Sequence, residues 1–187
     1  MIALRKPAAD AGVLRSTLIE DEVEFLDGLD PARLRSPKIH QVAEAWEGMR
    51  PSPDWLPGRQ HFDPSAVGRL LPQVMTLDLL RADGELRAIR YRLIGSMIRD
   101  AYGEDTTGKL VEIFPRHFRL AAESCKPVWR FGPPAQTILK GRVTAIENLI
   151  LPLAADGRTV DVLVLLSVFF DQSGREFRPF RSRVRIA

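Results

Sequence analysis

The side chains that most often act as nucleophiles, bases or metal ligands are few in this sequence. The only cysteine is Cys125, and the three histidines, His40, His61 and His117, lie far apart along the chain. A structural zinc site needs four nitrogen or sulfur ligands at short spacings, and a disulfide needs two thiols. The sequence therefore predicts neither a structural zinc site nor an intramolecular disulfide.

Sequence motifs that assemble catalytic sites are also missing. The chain has no Gly-x-Ser-x-Gly elbow, no complete phosphate-cradling glycine loop and no His-Glu-x-x-His pair. Each of these patterns would fix a nucleophile, a phosphate or a metal at a defined position. We therefore expect a protein that is not an enzyme and that has no catalytic residues.

Glu147 is the polar residue whose position is most informative. It lies in the run AIENLIL, which otherwise reads as an almost continuous hydrophobic strand. A carboxylate in such surroundings must be exposed, paired or in contact with a ligand, because burying an unpaired charge is costly. Exposure or a salt bridge is the commoner explanation, and a ligand contact is the alternative.

The clearest helix signal follows residue 35. Ser36 and Pro37 form a helix start, and apolar residues then recur at steps of three and four on one face: Ile39, Val42, Ala43, Trp46 and Met49. Residues 13–29 fit either an amphipathic helix or a strand. Asp63 is placed to cap a short helix over residues 64–71.

Alternating runs on both sides of a turn signal predict an antiparallel hairpin. They are VMTLDLL and ELRAIRYRLIG, and the turn is Asp83-Gly84. Three short helices broken by glycine follow: SMIRDAYG, TGKLVEIFP and RHFRLAAESC. Three strand-like runs end the pattern: VWRFGPPAQTILK, VTAIENLILPL and TVDVLVLLSVFF. The order predicts an α+β domain on one five-stranded antiparallel sheet.

Composition places the chain among ordinary soluble domains. It has 187 residues, of which 45% are hydrophobic and 27% charged, with a net charge of +3. That surplus is too small to indicate nucleic-acid binding by itself. No signal peptide or membrane span is visible, so a cytoplasmic protein without membrane contact is expected.

Four segments in this order resemble a PAS domain. YRLIGSMIRDAYGEDTTGKLVEIF is similar to the strand, short helix and glycine turns of PAS sensors, and IENLILPLAADGRTVDVLVLLSVF is similar to their last hairpin. HQVAEAWEGM and LPGRQHFDPSAVGRLLP resemble the leading helix and the following segment of a bacterial PAS subfamily. The resemblance covers about residues 37–170 and implies a sensory or interaction module.

The resemblance also implies where a ligand would bind, which is between the sheet and the short helices. Polar or amphipathic residues at positions that tend to line this cavity are the candidate ligand-binding residues: Tyr102, His117, Trp129, Arg130, Glu147 and Asn148. A mostly apolar pocket with a few fixed polar groups is the usual form of a small-molecule site. The sequence does not fix which strand face lines the cavity.

Two cofactors known from PAS domains can be compared with the chain. Flavin light sensors need a cysteine in an Asn-Cys-Arg-Phe-Leu-Gln-like helix, whereas Cys125 lies in AAESCKPVW at a helix end. Heme sensors use a histidine beside the pocket, and His117 lies on a helix in roughly that part of the fold. We therefore expect no flavin adduct and no metal site. The cofactor is unknown: none is the favoured interpretation, and heme at His117 is the alternative.

The last strand is apolar on both faces, which is unusual for an antiparallel strand. Since the short helices cover one face of the sheet, the other must be covered by residues 13–29 or by a second subunit. PAS domains often pair through this face and a leading helix. A homodimer through the sheet face and the N-terminal segment is therefore expected, with coverage by the chain's own segment as the alternative.

The C-terminus REFRPFRSRVRIA has five arginines and one glutamate. Basic tails can bind nucleic acid or anionic membranes, but this one is short and has apolar residues between its arginines. A solvated tail or a segment docked on the domain edge is the favoured interpretation, so nucleic acid is an unlikely partner. Nucleic-acid binding through this tail is the alternative.

The sequence as a whole predicts three parts. They are an N-terminal helical extension over residues 1–35, a PAS-like domain over 36–172 and a basic tail over 173–187. A chain of this length leaves no room for a kinase, cyclase or DNA-binding domain. We therefore expect a stand-alone sensory module that binds a small molecule or a protein partner and acts in trans, as a homodimer.

Overall fold

The computed structural model describes residues 21–61, 64–134 and 142–177. Its strands are β1 (Glu22–Phe25), β2 (Val74–Ala82), β3 (Glu85–Ile94), β4 (Leu110–Val111), β5 (Val128–Gly132), β6 (Ala145–Leu153) and β7 (Val162–Phe170). Its α-helices are α1 (Pro37–Gly48), α2 (Ser96–Tyr102) and α3 (Arg116–Ser124). Short 3-10 helices cover Leu26–Gly28, Pro31–Arg33, Arg59–His61 and Pro64–Gln73. Asp63, the predicted cap of the last one, lies outside the described residues.

All seven strands form one antiparallel sheet in the order β1-β5-β6-β7-β2-β3-β4. The predicted α+β class, with short helices on an antiparallel sheet, is confirmed. The five predicted strands are β2, β3, β5, β6 and β7. The two additional strands, β1 and β4, lie at the two edges of the sheet.

Strand β1 differs from the predicted helical extension. Glu22–Phe25 pairs with β5, Glu22 lying opposite Phe131 and Phe25 opposite Val128. The segment alternates charged and apolar residues, which is the period of a strand. Only the two 3-10 helices that follow it agree with a helical extension, and residues 1–20 lie outside the described part of the chain.

Strand β4 replaces the helix predicted over TGKLVEIFP. Gly108 has a φ of 84°, which turns the chain back along β3. The Gly108 N–H then donates to Tyr91 O at 2.6 Å, and the Tyr91 N–H donates to Lys109 O at 3.1 Å. Pairing with β3 satisfies these backbone groups, so the tertiary contact overrides the local helical pattern.

The hairpin of β2 and β3 forms as the sequence predicts. Asp83 and Gly84 have φ values of 53° and 80°, the left-handed conformation that suits a two-residue turn between twisted strands. The turn sets the register that places Leu77 opposite Tyr91 and Asp78 opposite Arg90. This register decides which side chains of the two strands point toward the interior.

Helix α1 also begins where the sequence predicts. The Ser36 hydroxyl accepts from the Lys38 N–H at 3.3 Å, and Pro37 takes the first helical position. Ile39, Val42 and Trp46 are buried against the sheet. The Trp46 indole Nε1 donates to the carbonyl of Pro152 at 3.0 Å, which ties the helix to β6.

The two faces of the sheet are named here by the helices that lie on them. The α1 face carries Trp129, Phe131 and Glu147 together with helix α1, and the short-helix face carries Arg130 and Asn148 together with α2 and α3. The residues are assigned to the two faces from the alternation of side chains along each strand, since opposite partners in an antiparallel pair share a face.

The central strands β6 and β7 are covered on both faces within one chain. All nine residues of β6 and all nine of β7 are buried, with α1 on one side and α3 packed against β5, β6 and β7 on the other. The apolar pattern of β7 therefore requires no second subunit. The cover is α1 and the 3-10 segments before it, whereas Glu22–Phe25 of the N-terminal segment form strand β1 in the sheet itself.

The described start of the C-terminal tail docks on the domain. Glu176 forms a bridge with Phe170 at the end of β7, and the Phe177 N–H donates to Phe169 O at 2.7 Å. Residues 178–187, which carry most of the tail's arginines, lie outside the described residues. Among the helices that the structure describes, none is long and apolar enough to cross a membrane.

Candidate functional site

The six candidate residues do not share one cavity, because strand alternation divides them between the two faces. Trp129 and Glu147 lie on the α1 face. Their chain neighbours Arg130 and Asn148 point to the short-helix face. Tyr102 and His117 belong to this second group, since each is close enough to Arg130 for its charge to shift their pKa values.

Glu147 is fully buried, and three N–H donors satisfy its carboxylate. The backbone N–H groups of Arg35 and Ser36 donate at 2.9 Å each, and the Trp129 indole Nε1 donates at 2.8 Å. Burial raises the pKa of the Glu147 carboxyl, and the three donors oppose that rise. The residue is therefore neither exposed nor held by a salt bridge, and its observed role is to fix the chain at the start of α1.

A second carboxylate, that of Glu176, also holds the start of α1. The Glu176 carboxylate accepts from the Ser36 hydroxyl, and it forms an ion pair with Lys38 Nζ at 2.6 Å. Glu147 and Glu176 thus bring β6 and the end of the described chain to the first turn of α1. The Arg33 guanidinium adds a cation–π contact 5.3 Å from the centroid of the Trp129 ring.

On the short-helix face, a chain of buried polar side chains crosses three strands. Arg130 Nη1 donates to Asn148 Oδ1 at 3.2 Å, and Asn148 Nδ2 donates to Ser167 Oγ at 2.8 Å. Arg130 Nη2 also donates to Pro133 O at 2.7 Å. Each of the three side chains is less than a tenth exposed, so β5, β6 and β7 each contribute one polar group to an otherwise apolar face.

Ser167 was missed as a candidate, although its sequence carries a signal. It is the only polar residue in the run VLVLLSVFF, and a lone hydroxyl in a buried strand needs a partner. Asp21, which pairs with Arg130 Nε at 2.6 Å, was also missed. Its contact depends on the pairing of β1 with β5, and the sequence left that segment open between helix and strand.

Tyr102 and His117 approach the same face from the two short helices. Tyr102 is the last residue of α2, which ends at Gly103 in the left-handed conformation, φ 79°. Burial raises the pKa of the Tyr102 hydroxyl, so it stays protonated at neutral pH. His117 lies in the first turn of α3, with its ring 4.7 Å from that of Phe118 in an edge-on contact.

The His117 imidazole gives the site a testable pH dependence. Burial, and secondarily the charge of Arg130, lowers its pKa to about 4 from an ordinary 6.5. Between these values the unfolded chain binds a proton that the folded chain does not. We expect the free energy of unfolding to decrease by about 2–3 kcal/mol as the pH falls from 6.5 to 4. Urea unfolding across this range measures the decrease.

Replacement of His117 isolates its share of that decrease. His117→Gln cannot titrate, so its stability profile between pH 6.5 and 4 should lack the wild-type component, whereas His40→Gln on the exposed side of α1 should retain it. Identical profiles for wild type and His117→Gln would show that the imidazole is not held in its neutral form.

Two surface pockets lie near the start of α1, away from this cluster. The larger is about 240 Å³ and is lined by Arg35, Phe131, Thr144, Ala145, Phe170, Asp171, Gln172 and Gly174. The smaller is about 130 Å³ and is lined by Leu26, Leu29, Pro31, Leu34, Ile39, His40 and Ala43. None of the six candidate residues lines either cavity. In the described part of the chain, no group of three or more acidic, histidine or cysteine side chains could hold a metal ion.

Comparison with known families agrees with this architecture. The family model described as PAS domain matches residues 34–176, from just before α1 to the bridge that follows β7. The chain belongs to the PAS domain family. In this PAS domain the leading segment is α1 and the final hairpin is β6 with β7, so the resemblance stated from the sequence is confirmed. Neither the curated proteins nor the solved structures gave a match.

Proposed function

We propose that this PAS domain is a sensory module that binds a small molecule between the sheet and its short helices and passes the signal to a separate partner protein. The observation that carries the proposal is the buried chain of Arg130, Asn148 and Ser167, with Tyr102 and His117 facing it. Few fixed polar groups in apolar surroundings are the usual form of a small-molecule site.

The cost of burying these groups supports the proposal. A guanidinium loses several kcal/mol of hydration on burial, and packing alone does not require a charge on a buried sheet face. A structural role is already filled on the opposite face by Glu147, which anchors α1. The polar chain on the short-helix face anchors no helix in this way, so recognition of a ligand is its best explanation.

Binding without catalysis is the mode of action that the residues favour. The cluster contains a neutral imidazole, a protonated phenol, a hydroxyl, an amide and a guanidinium paired with Asp21, and among the described residues no carboxylate or thiol forms a hydrogen bond with the imidazole. General acid–base or nucleophilic chemistry would need such a pair within hydrogen-bond reach. The protein is therefore proposed to act as a binding module and not as an enzyme.

Native mass spectrometry tests the binding function. Freshly purified protein is measured under native and denaturing conditions, with an absorbance spectrum of the same sample. A mass excess that disappears on denaturation supports a ligand-loaded sensor. A native mass equal to a whole number of chain masses, together with no stabilisation by any compound of a metabolite library in thermal unfolding, would contradict it.

We also propose that the protein forms a homodimer through the part of the α1 face that α1 leaves uncovered. Leu93 lies opposite Thr76, and Leu110 lies opposite Arg90, in rows that continue this face across β2, β3 and β4. The two leucines are 47% and 53% exposed. Exposed apolar side chains on a sheet face are a common basis for association.

Substitution of Leu93 tests the dimer. Light scattering coupled to size exclusion should give twice the chain mass of 21.0 kDa for wild type and the single mass for Leu93→Lys. Ile113→Lys is the matched control, since Ile113 is also exposed but lies outside the strands. A monomeric wild type, or a variant that remains dimeric, would contradict this interface.

A heme sensor is the second candidate, favoured by the state of His117. Its pKa of about 4 keeps the imidazole neutral at pH 7, and the neutral ring is the form that ligates iron. Hemin titration, followed by the Soret band in wild type and His117→Ala, distinguishes this candidate. A saturable, one-to-one Soret shift that the variant lacks would support it, and identical spectra would dismiss it.

A further inference from the structure

Arg130 pairs with a carboxylate that is much more exposed than itself. Arg130 Nε lies 2.6 Å from Asp21 Oδ1, with the arginine side chain 8% exposed and the aspartate side chain 50% exposed. Asp21 directly precedes β1, the short edge strand that pairs with β5. The charge at the centre of the proposed site is thus balanced by a group from the periphery of the sheet.

The other partners of Arg130 do not neutralise its charge. Pro133 O and Asn148 Oδ1 are neutral acceptors, and among the described residues Asp21 is the only carboxylate recorded in an ion pair with this guanidinium. The buried Nε has no aligned acceptor there, despite its short distance to Asp21. A guanidinium can hold a carboxylate through two parallel N–H donors, which this arrangement does not achieve.

Gly132 gives the carboxylate its space. A Cβ at this position would lie 2.4 Å from Asp21 Oδ1 and 3.2 Å from Arg130 Nη2. Position 132 thus lacks a side chain where the carboxylate and the guanidinium meet. The space beside Arg130 fits a carboxylate group, because one already occupies it.

We propose that Arg130 recognises the carboxylate of a small organic acid, and that Asp21 occupies this position until the ligand displaces it. The inference rests on the proposed function and adds the ligand class. It also gives binding a structural consequence. The displaced Asp21 frees the start of β1, whose four residues contact only β5 within the sheet, so release of this strand is an accessible signal.

Carboxylate probes on the Asp21 variant test the proposal. Acetate and succinate are titrated by NMR into wild type and Asp21→Asn, with acetamide and succinamide as uncharged controls at matched ionic strength. Because the internal competitor is removed, Asp21→Asn should bind the better carboxylate probe about tenfold more tightly than wild type does. The amides should not bind either protein. Equal affinities, no binding by either carboxylate, or equal binding of the amides would overturn the proposal.

Arg130→Gln supplies the second variant and separates this inference from the proposed function. It should lose carboxylate binding at least tenfold while the protein stays folded. If this variant still retains the ligand found by native mass spectrometry, the PAS domain is a sensor but its ligand is not recognised by Arg130. If neither wild type nor variant retains any mass or binds any compound, the proposed function fails as well.

Hydrogen exchange of β1 provides a readout that does not depend on Arg130 substitution. Saturating probe should increase exchange at the amides of Glu22–Phe25 in wild type, whereas these amides should already exchange faster in Asp21→Asn without probe. The amides of β6 serve as the internal control and should not change. Unchanged β1 exchange in both proteins would contradict the displacement of Asp21.

Discussion

Glu147→Ala is expected to lower the free energy of unfolding by about 3–5 kcal/mol, measured by urea or guanidinium unfolding. The substitution removes the acceptor of three N–H groups, those of Arg35, Ser36 and the Trp129 indole. All three would remain near the start of α1 without that partner, and a cavity would form around position 147.

Two further variants separate the charge from the contacts. Glu147→Gln keeps one acceptor oxygen but turns an amide NH2 toward the donors, so an intermediate loss of about 1–3 kcal/mol is expected. Glu85→Ala is the matched control, because Glu85 pairs with Arg87 at the surface and should contribute less than about 0.5 kcal/mol. A loss below about 1 kcal/mol for Glu147→Ala would show that the carboxylate does not anchor the helix.

Trp46→Ala is expected to be similarly costly, at about 3–5 kcal/mol. The indole is 3% exposed between α1 and β6, and its Nε1 bonds to Pro152 O. Alanine would leave a large cavity and an unpaired carbonyl at the other end of the helix from Glu147. Denaturant unfolding monitored by circular dichroism measures the loss without relying on the missing fluorophore.

The Trp46 prediction also has matched variants. Trp46→Phe keeps an aromatic ring but loses the donor to Pro152, and about 1–2 kcal/mol is expected for it. Trp55→Ala removes a tryptophan that is 43% exposed, so its cost should be clearly smaller than that of Trp46→Ala. Equal losses for the two alanine variants would mean that α1 does not depend on the contact with β6.

The elements that the sequence predicted correctly have local determinants. Ser36 and Pro37 mark the start of α1 regardless of the rest of the fold, and Asp83-Gly84 adopts the backbone conformation that its hairpin needs. The burial of β6 and β7 follows from their continuous apolar sequence. These signals lie within a few residues of the structure that they specify, so they can be interpreted without tertiary information.

The edge strands and the site could not be predicted from local sequence, because they depend on contacts between distant segments. β1 forms because β5 offers an edge, and β4 forms because Gly108 turns the chain onto β3. The six candidate residues lie on two faces of the sheet, and dividing them between the faces required the strand parity. That parity is fixed by the register of β5 with β6, where a shift of one residue would exchange Glu147 and Asn148.

Parity gives neighbouring residues of one strand different roles. Trp129 and Glu147 hold α1 on one face, while Arg130 and Asn148 are proposed to meet a ligand on the other. A displacement of β5 or β6 at the short-helix face would therefore also move the residues that anchor α1.

The most direct test of this division of roles between the two sheet faces compares the mass of retained ligand in wild type, Asn148→Leu and Trp129→Phe. The two substitutions lie on adjacent strands but on opposite faces of the sheet, and each removes one side-chain hydrogen-bond partner from its own cluster. Native mass spectrometry is predicted to find the same ligand mass in wild type and Trp129→Phe and to find it lost in Asn148→Leu. Retention of that mass in Asn148→Leu, or its loss from Trp129→Phe alone, would contradict the account.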